Sequence, residues 1–253
     1  MSDLTYSTFR EHYLSMISPE LPGFATHFDR FSDESVIESL FTVSDKLIDN
    51  AKKFNLTSIL EPGEIIRKHL IDSLIPLGIL LSEGIAISNI LDVGTGAGFP
   101  LLPWACALKN DDISLTGMDA TAKKISHILE ARDAAALPHL TALQGRAEEL
   151  ASTAMRESFT LVTARAVADL PVLMELCAPF VTPGGYFAAL KGHAEEEVKA
   201  SARAASVLGL EIVRTENYLL PGGDARSLVL CRKMTPTPHK YPRRYADITK
   251  KPL

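Results

Sequence analysis

A chain of 253 residues with 46% hydrophobic and 23% charged side chains can bury a sizeable core, as one large domain or one domain with an appendage. Its 26 Lys and Arg against 31 Asp and Glu leave a formal charge of −5, which excludes a global pull toward nucleic acid, so any such contact must use local basic patches. The three cysteines, Cys106, Cys177 and Cys231, form no C-x-x-C pair, which argues against a disulfide framework or a zinc site and for a reducing, cytoplasmic setting.

No basic-then-apolar segment marks a signal peptide, and the longest apolar stretch, Leu74 to Leu81, is too short to span a bilayer. Residues 1–82 read as a helical N-terminal extension. Val36, Leu40, Val43, Leu47 and Ile48 recur at helical spacing, and so do Ile65, Ile66, His69, Leu70 and Leu74. Asp33 or Ser32 can cap the first of these helices, and Pro62-Gly63 breaks the chain before the second. His69, on an apolar stripe, reads as structural.

From 83 to 233 the pattern alternates. Strands are predicted at 87–93, 113–118, 140–144, 159–164, 186–190, 211–219 and 227–232, with helices at 99–109, 121–136, 147–156, 169–179 and 194–208. Such alternation predicts a doubly wound, mostly parallel α/β sheet. Only Leu220-Pro221-Gly222-Gly223-Asp224 separates the last two strands, too few residues for a crossover helix, so they should form an antiparallel edge hairpin. Residues 234–253 form a tail whose prolines exclude a helix from its first half. There Lys240, Arg243, Arg244, Lys250 and Lys251 face Asp247 as the single acid.

The most informative stretch is Leu91-Asp92-Val93-Gly94-Thr95-Gly96-Ala97-Gly98-Phe99-Pro100, a strand, a glycine turn and the start of a helix. Glycines let a backbone turn sharply and approach a ligand closely, and the new helix offers unpaired N–H groups. The glycines fall as G-x-G-x-G, and Phe99 occupies the third position of the dinucleotide fingerprint, which disfavours a nicotinamide dehydrogenase. The stretch resembles the first motif of class I S-adenosylmethionine (SAM)-dependent methyltransferases. That resemblance implies SAM as cofactor, with Asp92 facing its methionine end and Gly94, Gly96 and Gly98 making room for it.

Ligands of doubly wound folds bind at the carboxyl ends of the strands. Asp119, after the second strand, suits ribose hydroxyls, or else caps the following helix. Gly145-Arg146-Ala147-Glu148, after the third, either frames an adenine or is a plain loop whose acids suit a helix N-terminus. Thr163-Ala164-Arg165-Ala166, after the fourth, carries neither an N-P-P-Y type box nor a nucleophilic cysteine. Its arginine suits a phosphate or a guanine edge, or an ion pair that closes the pocket. Lys191, after the fifth strand, is either solvated or an RNA contact, and Lys123 and Lys124 read as a solvated face. The histidines show no metal spacing, and no metal is expected.

Four segments together resemble one family, glucose-inhibited division protein B (RsmG). They are Asn55–Ile59 with Arg67–Leu74, the glycine turn, Ala164–Ala168 with Leu190-Lys191-Gly192, and the tail Tyr241-Pro242-Arg243-Arg244 through Lys250-Lys251-Pro252-Leu253. Leu101-Leu102 departs from the family, which commonly continues with glycine and an aliphatic residue, and so does Ala147, where a larger aliphatic is frequent. The resemblance implies a class I, Rossmann-like, seven-stranded methyltransferase domain behind the helical extension. It implies methylation of N7 of a guanine in small-subunit (16S) ribosomal RNA, on the subunit or its precursor, by a monomer. It places Gly94, Phe99, Asp119, Ala120, Thr121, Ala147, Glu148 and Arg165 on the cofactor and Arg165 and Lys191 in the catalytic site. It also suggests Arg146, Lys191, Arg243 and Arg244 as RNA contacts, with the Arg67-Lys68-His69 step extending that surface. Guanine N7 carries a free lone pair and no proton, so direct in-line transfer needs neither a base nor a covalent intermediate. A methyltransferase for a small molecule or protein, and a non-catalytic SAM sensor, stay open at this point.

Overall fold

The computed structural model describes residues 5–165 and 168–253. The Thr5 hydroxyl accepts the Thr8 N–H and caps α1 (Tyr6–Met16). A short α2 (Phe28–Phe31) leads into α3 (Glu34–Ala51), whose cap is Asp33 rather than Ser32, its carboxylate accepting the Ser35 N–H. The apolar positions predicted for α3 are its buried face, Val36, Leu40, Val43 and Leu47 among them. Glu61 caps α4 (Pro62–Ile65), which runs into a π-helical turn, Ile66–Ile71, and then α5 (Asp72–Ser82). The wider π turn shifts the side chains that follow it, and such turns collect at functional sites. Periodicity at 3.6 residues per turn cannot show it.

The α/β part begins with β1 (Asn89–Val93), α6 (Leu101–Ala107), β2 (Ser114–Asp119), α7 (Ala122–Ala134), β3 (Leu140–Gln144) and α8 (Ala147–Leu150). It continues through β4 (Phe159–Arg165), α9 (Leu170–Cys177), β5 (Val181–Lys191), α10 (Glu195–Ala200), α11 (Ala202–Leu208), β6 (Leu210–Leu219) and β7 (Ala225–Lys233). Near the end of the chain comes α12 (Tyr245–Lys250). The seven strands lie in the order β3-β2-β1-β4-β5-β7-β6. All neighbours are parallel except β7, which runs antiparallel to β5 and to β6, so the edge hairpin is present as expected. Strand order reverses between β1 and β4, and their carboxyl ends flank the crevice where such sheets bind ligands.

Two helices differ from expectation for one reason. The helix expected at 147–156 stops at Leu150, where the Thr153 hydroxyl donates to the Leu150 carbonyl at 2.7 Å. The helix expected at 194–208 breaks into α10 and α11 at Ser201, whose hydroxyl donates to the Glu197 carbonyl at 2.6 Å. Such side chains offer the backbone an alternative to the helical ladder.

The extension is not a separate body. One core cluster runs from Phe9, Phe31 and Leu40 through Leu74 to Leu101, Trp104 and Leu230. The Trp104 indole donates to the Ser73 carbonyl at 2.7 Å inside it. Residue 82/83 therefore marks a change of sequence pattern, while the packing is continuous. The other face of the sheet is covered by α9, α11 and the tail, with Ile248 fully buried there. Among the described residues no helix is long and apolar enough to cross a membrane.

Candidate active site

The glycine turn binds itself to the end of β2. Gly94 and Thr95 N–H both donate to the Met118 carbonyl at 2.9 Å, Gly98 N–H donates to the Thr95 carbonyl, and Gly96 N–H donates to Asp119 Oδ2 at 3.1 Å. These four turn amides are therefore occupied, three of them by the end of β2. What the turn supplies is room. Gly94 and Gly96 have φ of 71° and 58°, and a Cβ on Gly96 would meet nothing closer than 3.8 Å. Gly98 is different: expected at the cofactor, it lines none of the cavities described below, and a Cβ there would stand 2.4 Å from a methyl of Leu102 in the following helix.

Asp92, one residue before the strand ends, is 1% exposed, and neither of its carboxylate oxygens has a partner; Thr95 Oγ1 is buried and unpartnered as well. Burial pushes the Asp92 carboxyl up to about 7. Such an orphaned acceptor is costly unless a ligand completes it. The ammonium of an amino-acid moiety has the matching charge, so the residues present fit the methionine end of SAM.

Three cavities follow the strand ends. Val93, Gly94, Met118, Asp119, Ala120, Gly145, Arg146, Ala147, Glu148, Leu176 and Tyr245 line the first. Here Asp119 reaches back to Gly96 and accepts the Thr121 N–H at 2.9 Å, but the cap residue of α7 is Thr121, so the cap alternative for this acid is not what the structure shows. Thr121 itself lies outside this cavity and borders a lysine-lined depression behind it. The second cavity, sharing Gly94, is lined by Leu56, Thr57, His69, Thr95, Gly96, Ala97, Phe99 and Arg165. The third is the largest at about 400 Å³ and shares His69 and Arg165 with the second; Asp72, Lys191, Tyr218 and Arg226 also face it. Read in order, these suit an adenosine, a methionine end and a methyl acceptor.

The acceptor side joins the expected Arg165 and Lys191 to residues to which the sequence reading gave no such role, His69, Asp72, Tyr218 and Arg226. The π turn places His69 flat against Phe99, ring centroids 4.3 Å apart, with His69 Nε2 3.1 Å from the Thr57 hydroxyl. Burial, with the Arg165 charge added, lowers His69 to about 4, so it is neutral at working pH. The Arg165 guanidinium stands 5.4 Å from the Phe99 ring and donates to Asp72 Oδ2 at 3.4 Å. The ion pair offered as an alternative for Arg165 is thus present, and it borders the cavity. Ala166 and Val167, which follow it, lie outside the described residues.

Of the expected RNA contacts, Lys191 and Arg243 are occupied within the fold, and so is the Arg67-Lys68 step. Lys191 Nζ is paired with Glu197 at 2.8 Å and donates to the Ala168 carbonyl at 2.8 Å, with 9% of its side chain exposed. Arg243 is clamped on Glu175, which is fully buried in α9. Arg67 is locked between Glu64 and Asp224, and Lys68 pairs with Glu64, so the Arg67-Lys68 step ties the extension to the edge hairpin instead of presenting free charge. Arg146 and Arg244 are exposed. The anchored tail places Tyr245, 39% exposed, at the first cavity, a position that nothing in its sequence pattern indicates. Lys123 and Lys124, read as a solvated face, join Lys52 and Lys53 around a polar depression of about 370 Å³.

Known proteins bear on this geometry in two ways. The fold is shared with the citrinin polyketide synthase CMeT domain, at a TM-score of 0.55 and 14% identity over 81% of this chain and 68% of that one. In sequence, the chain is 43% identical to ribosomal RNA small subunit methyltransferase G of Deinococcus radiodurans over 80% of its length and 79% of the relative's. It is 40% identical to the protein of the same name from Desulfitobacterium hafniense, over 86% and 89%. Residues 37–223, which include the π turn, all five parallel strands and the acceptor cavity's Tyr218, match the family GidB, rRNA small subunit methyltransferase G, and the chain belongs to that family.

Proposed function

We propose that this protein transfers the methyl group of SAM to N7 of one guanine in 16S ribosomal RNA, directly and in line. Family membership makes it a methyltransferase of small-subunit rRNA; the acceptor atom rests on the chemistry of the large cavity. Among the described residues no side chain lining it is poised to take a proton near neutral pH. His69 is a weak base at about 4, and burial, reinforced by Asp72, lifts the Tyr218 phenol far above its usual range. Lys191 is held in its ion pair and Asp72 between two guanidinium groups. A ring nitrogen with a free lone pair needs none of these as a base.

Bound SAM supplies an electrophilic methyl on a sulfonium. Asp92 would hold its ammonium and Asp119 its ribose hydroxyls. Gly94, Ala120, Ala147, Glu148 and Tyr245 would frame its adenosine, and Gly96 and Phe99 its methionine end. A neutral His69 against Phe99 adds no positive charge where the acceptor ring gains one. The Arg165 cation is drawn toward Asp72, whose carboxylate offsets its charge. The test is methyl transfer from labelled SAM to small subunits lacking the modification, followed by nucleoside analysis. Label in 7-methylguanosine is expected, and label in any other nucleoside rejects the reading.

For the RNA path, Lys52, Lys53, Lys123 and Lys124 line a depression beside the cofactor's ribose end; Lys52 pairs with Asp49 at 3.0 Å and Lys124 with Asp119 at 3.4 Å, surface pairs weak enough for a phosphate to compete with. Charge reversal at Lys52 and Lys123 together should lower kcat/KM for subunits roughly tenfold at about 0.1 M salt and flatten the salt dependence, by about 0.7 in log–log slope for each phosphate no longer neutralised. SAM affinity, measured by calorimetry, should stay unchanged. An unaltered salt slope removes the depression from the RNA path.

A further inference from the structure

We infer that Asp72 reads the Watson–Crick edge of the target guanine and is the residue that sets base specificity. This rests on the acceptor reading above. Asp72 opens α5 directly after the π turn, is 7% exposed, and is the one carboxylate among the described residues lining the acceptor cavity. Arg226 Nε donates to its Oδ1 at 2.9 Å and Arg165 Nη1 to its Oδ2 at 3.4 Å. An ionised carboxylate has about four lone-pair sites. Two are taken, and each oxygen keeps one for a ligand. The cations nearby have other obligations: Lys68 pairs with Glu64 and Lys191 with Glu197, acids that do not line the cavity.

Guanine alone among the four bases presents two adjacent donors, N1–H and the N2 amino group, to one carboxylate. Adenine turns a lone pair at N1 toward the same oxygens and is repelled. Next to these donors guanine carries the O6 acceptor, and next to Asp72 stands the Arg165 guanidinium. Donor beside acceptor in the protein thus matches acceptor beside donors on the base. N7 lies on the opposite side of the ring system from N2. A guanine seated on Asp72 therefore turns N7 away from it, toward His69 and Arg165, the residues shared with the methionine-end cavity. Recognition and reaction would use opposite edges of one base.

Inosine tests this without changing the protein, because it lacks the N2 amino group and keeps O6 and N7. Small subunits would be reconstituted with ligated RNA carrying guanosine or inosine at the target, and kcat/KM compared. Inosine should lower kcat/KM roughly tenfold to a hundredfold, the discrimination of a bidentate base contact. In Asp72→Asn the ratio of guanosine to inosine should collapse toward one, an effect a purely structural carboxylate would not produce; melting temperature and SAM affinity of the variant are recorded alongside. If the variant does not fold, the inosine comparison in the unmodified protein decides alone. Equal methylation of both bases by that protein overturns the inference, and so does a folded Asp72→Asn that keeps the penalty. Failure to methylate the guanosine subunit at all strikes the acceptor reading instead.

Discussion

Asp92→Asn should raise the melting temperature of the ligand-free protein while weakening SAM binding roughly 10- to 150-fold, the loss expected for a charge-assisted hydrogen bond. Both effects have one source. The carboxyl is 1% exposed, its oxygens are unpartnered, and burial raises it from 3.8 to about 7. An acid whose folded value lies above its unfolded one costs stability as pH rises. The cost is absent below the unfolded value and complete above the folded one, here on the order of 4 kcal/mol at most. Asparagine cannot ionise and escapes it. Melting curves of the two proteins should therefore coincide near pH 4 and separate progressively up to about pH 7. Cofactor binding runs the other way, because a cation favours the carboxylate. Below about pH 7 the unmodified protein must release a proton to bind, and its affinity should fall by up to tenfold per pH unit. Calorimetry across this range checks the sign. A variant that binds SAM as tightly as the parent would remove Asp92 from the methionine end.

Arg243→Ala should do the opposite and destabilise the fold by about 3–5 kcal/mol, the usual consequence of stranding one partner of a buried ion pair. Glu175 is fully buried in α9 and accepts the Arg243 backbone N–H and Nε at 2.9 Å on one oxygen and Nη2 at 2.6 Å on the other. Arg243 Nη1 also donates to the Lys251 carbonyl at 3.1 Å and closes the tail around α12. Replacing both partners by methionine should recover much of the loss, since an apolar pair leaves no charge stranded. Because Tyr245 follows two residues later at the adenosine cavity, Arg243→Ala should also weaken SAM binding. Tyr245→Ala separates the two effects: SAM affinity should fall by roughly tenfold, as when an aromatic ring is removed from a stacking partner, with little change in melting temperature. If Arg243→Ala altered only the KM for subunits, the tail would be an RNA arm and not a clamp.

The contrast between Asp92 and Glu175 shows where sequence reading stops. Both are buried acids, but one has a cation from a segment 68 residues away and the other has none. Spacing along the chain carries no record of such a partner. The basic tail reads as a free RNA-binding arm for this reason: its charges can be counted, while the acid that neutralises Arg243 belongs to another element. Lys191 and Arg67 are likewise tied to carboxylates on other elements, Glu197 in α10 and Asp224 in the link between β6 and β7. Conversely, Lys52 and Lys123 gain significance only when α3 and α7 pack side by side.

The sequence by itself determined what depends on neighbours within a few residues. The alternation of strand and helix, the hairpin forced by a five-residue link, the glycine turn after Asp92 and the acid at Asp119 all reflect local backbone and periodicity constraints. The ordered motifs of the family were equally legible. Only the tertiary structure shows what surrounds Arg165 and Lys191 on the acceptor side of the site. A π turn brings His69 and Asp72 up to Phe99 and Arg165, and the edge hairpin brings Tyr218 and Arg226 to the same cavity. Apolar periodicity says which face of a helix is buried but not what it is buried against. A polar residue on that face, such as His69, therefore reads as core until the partner surface is known.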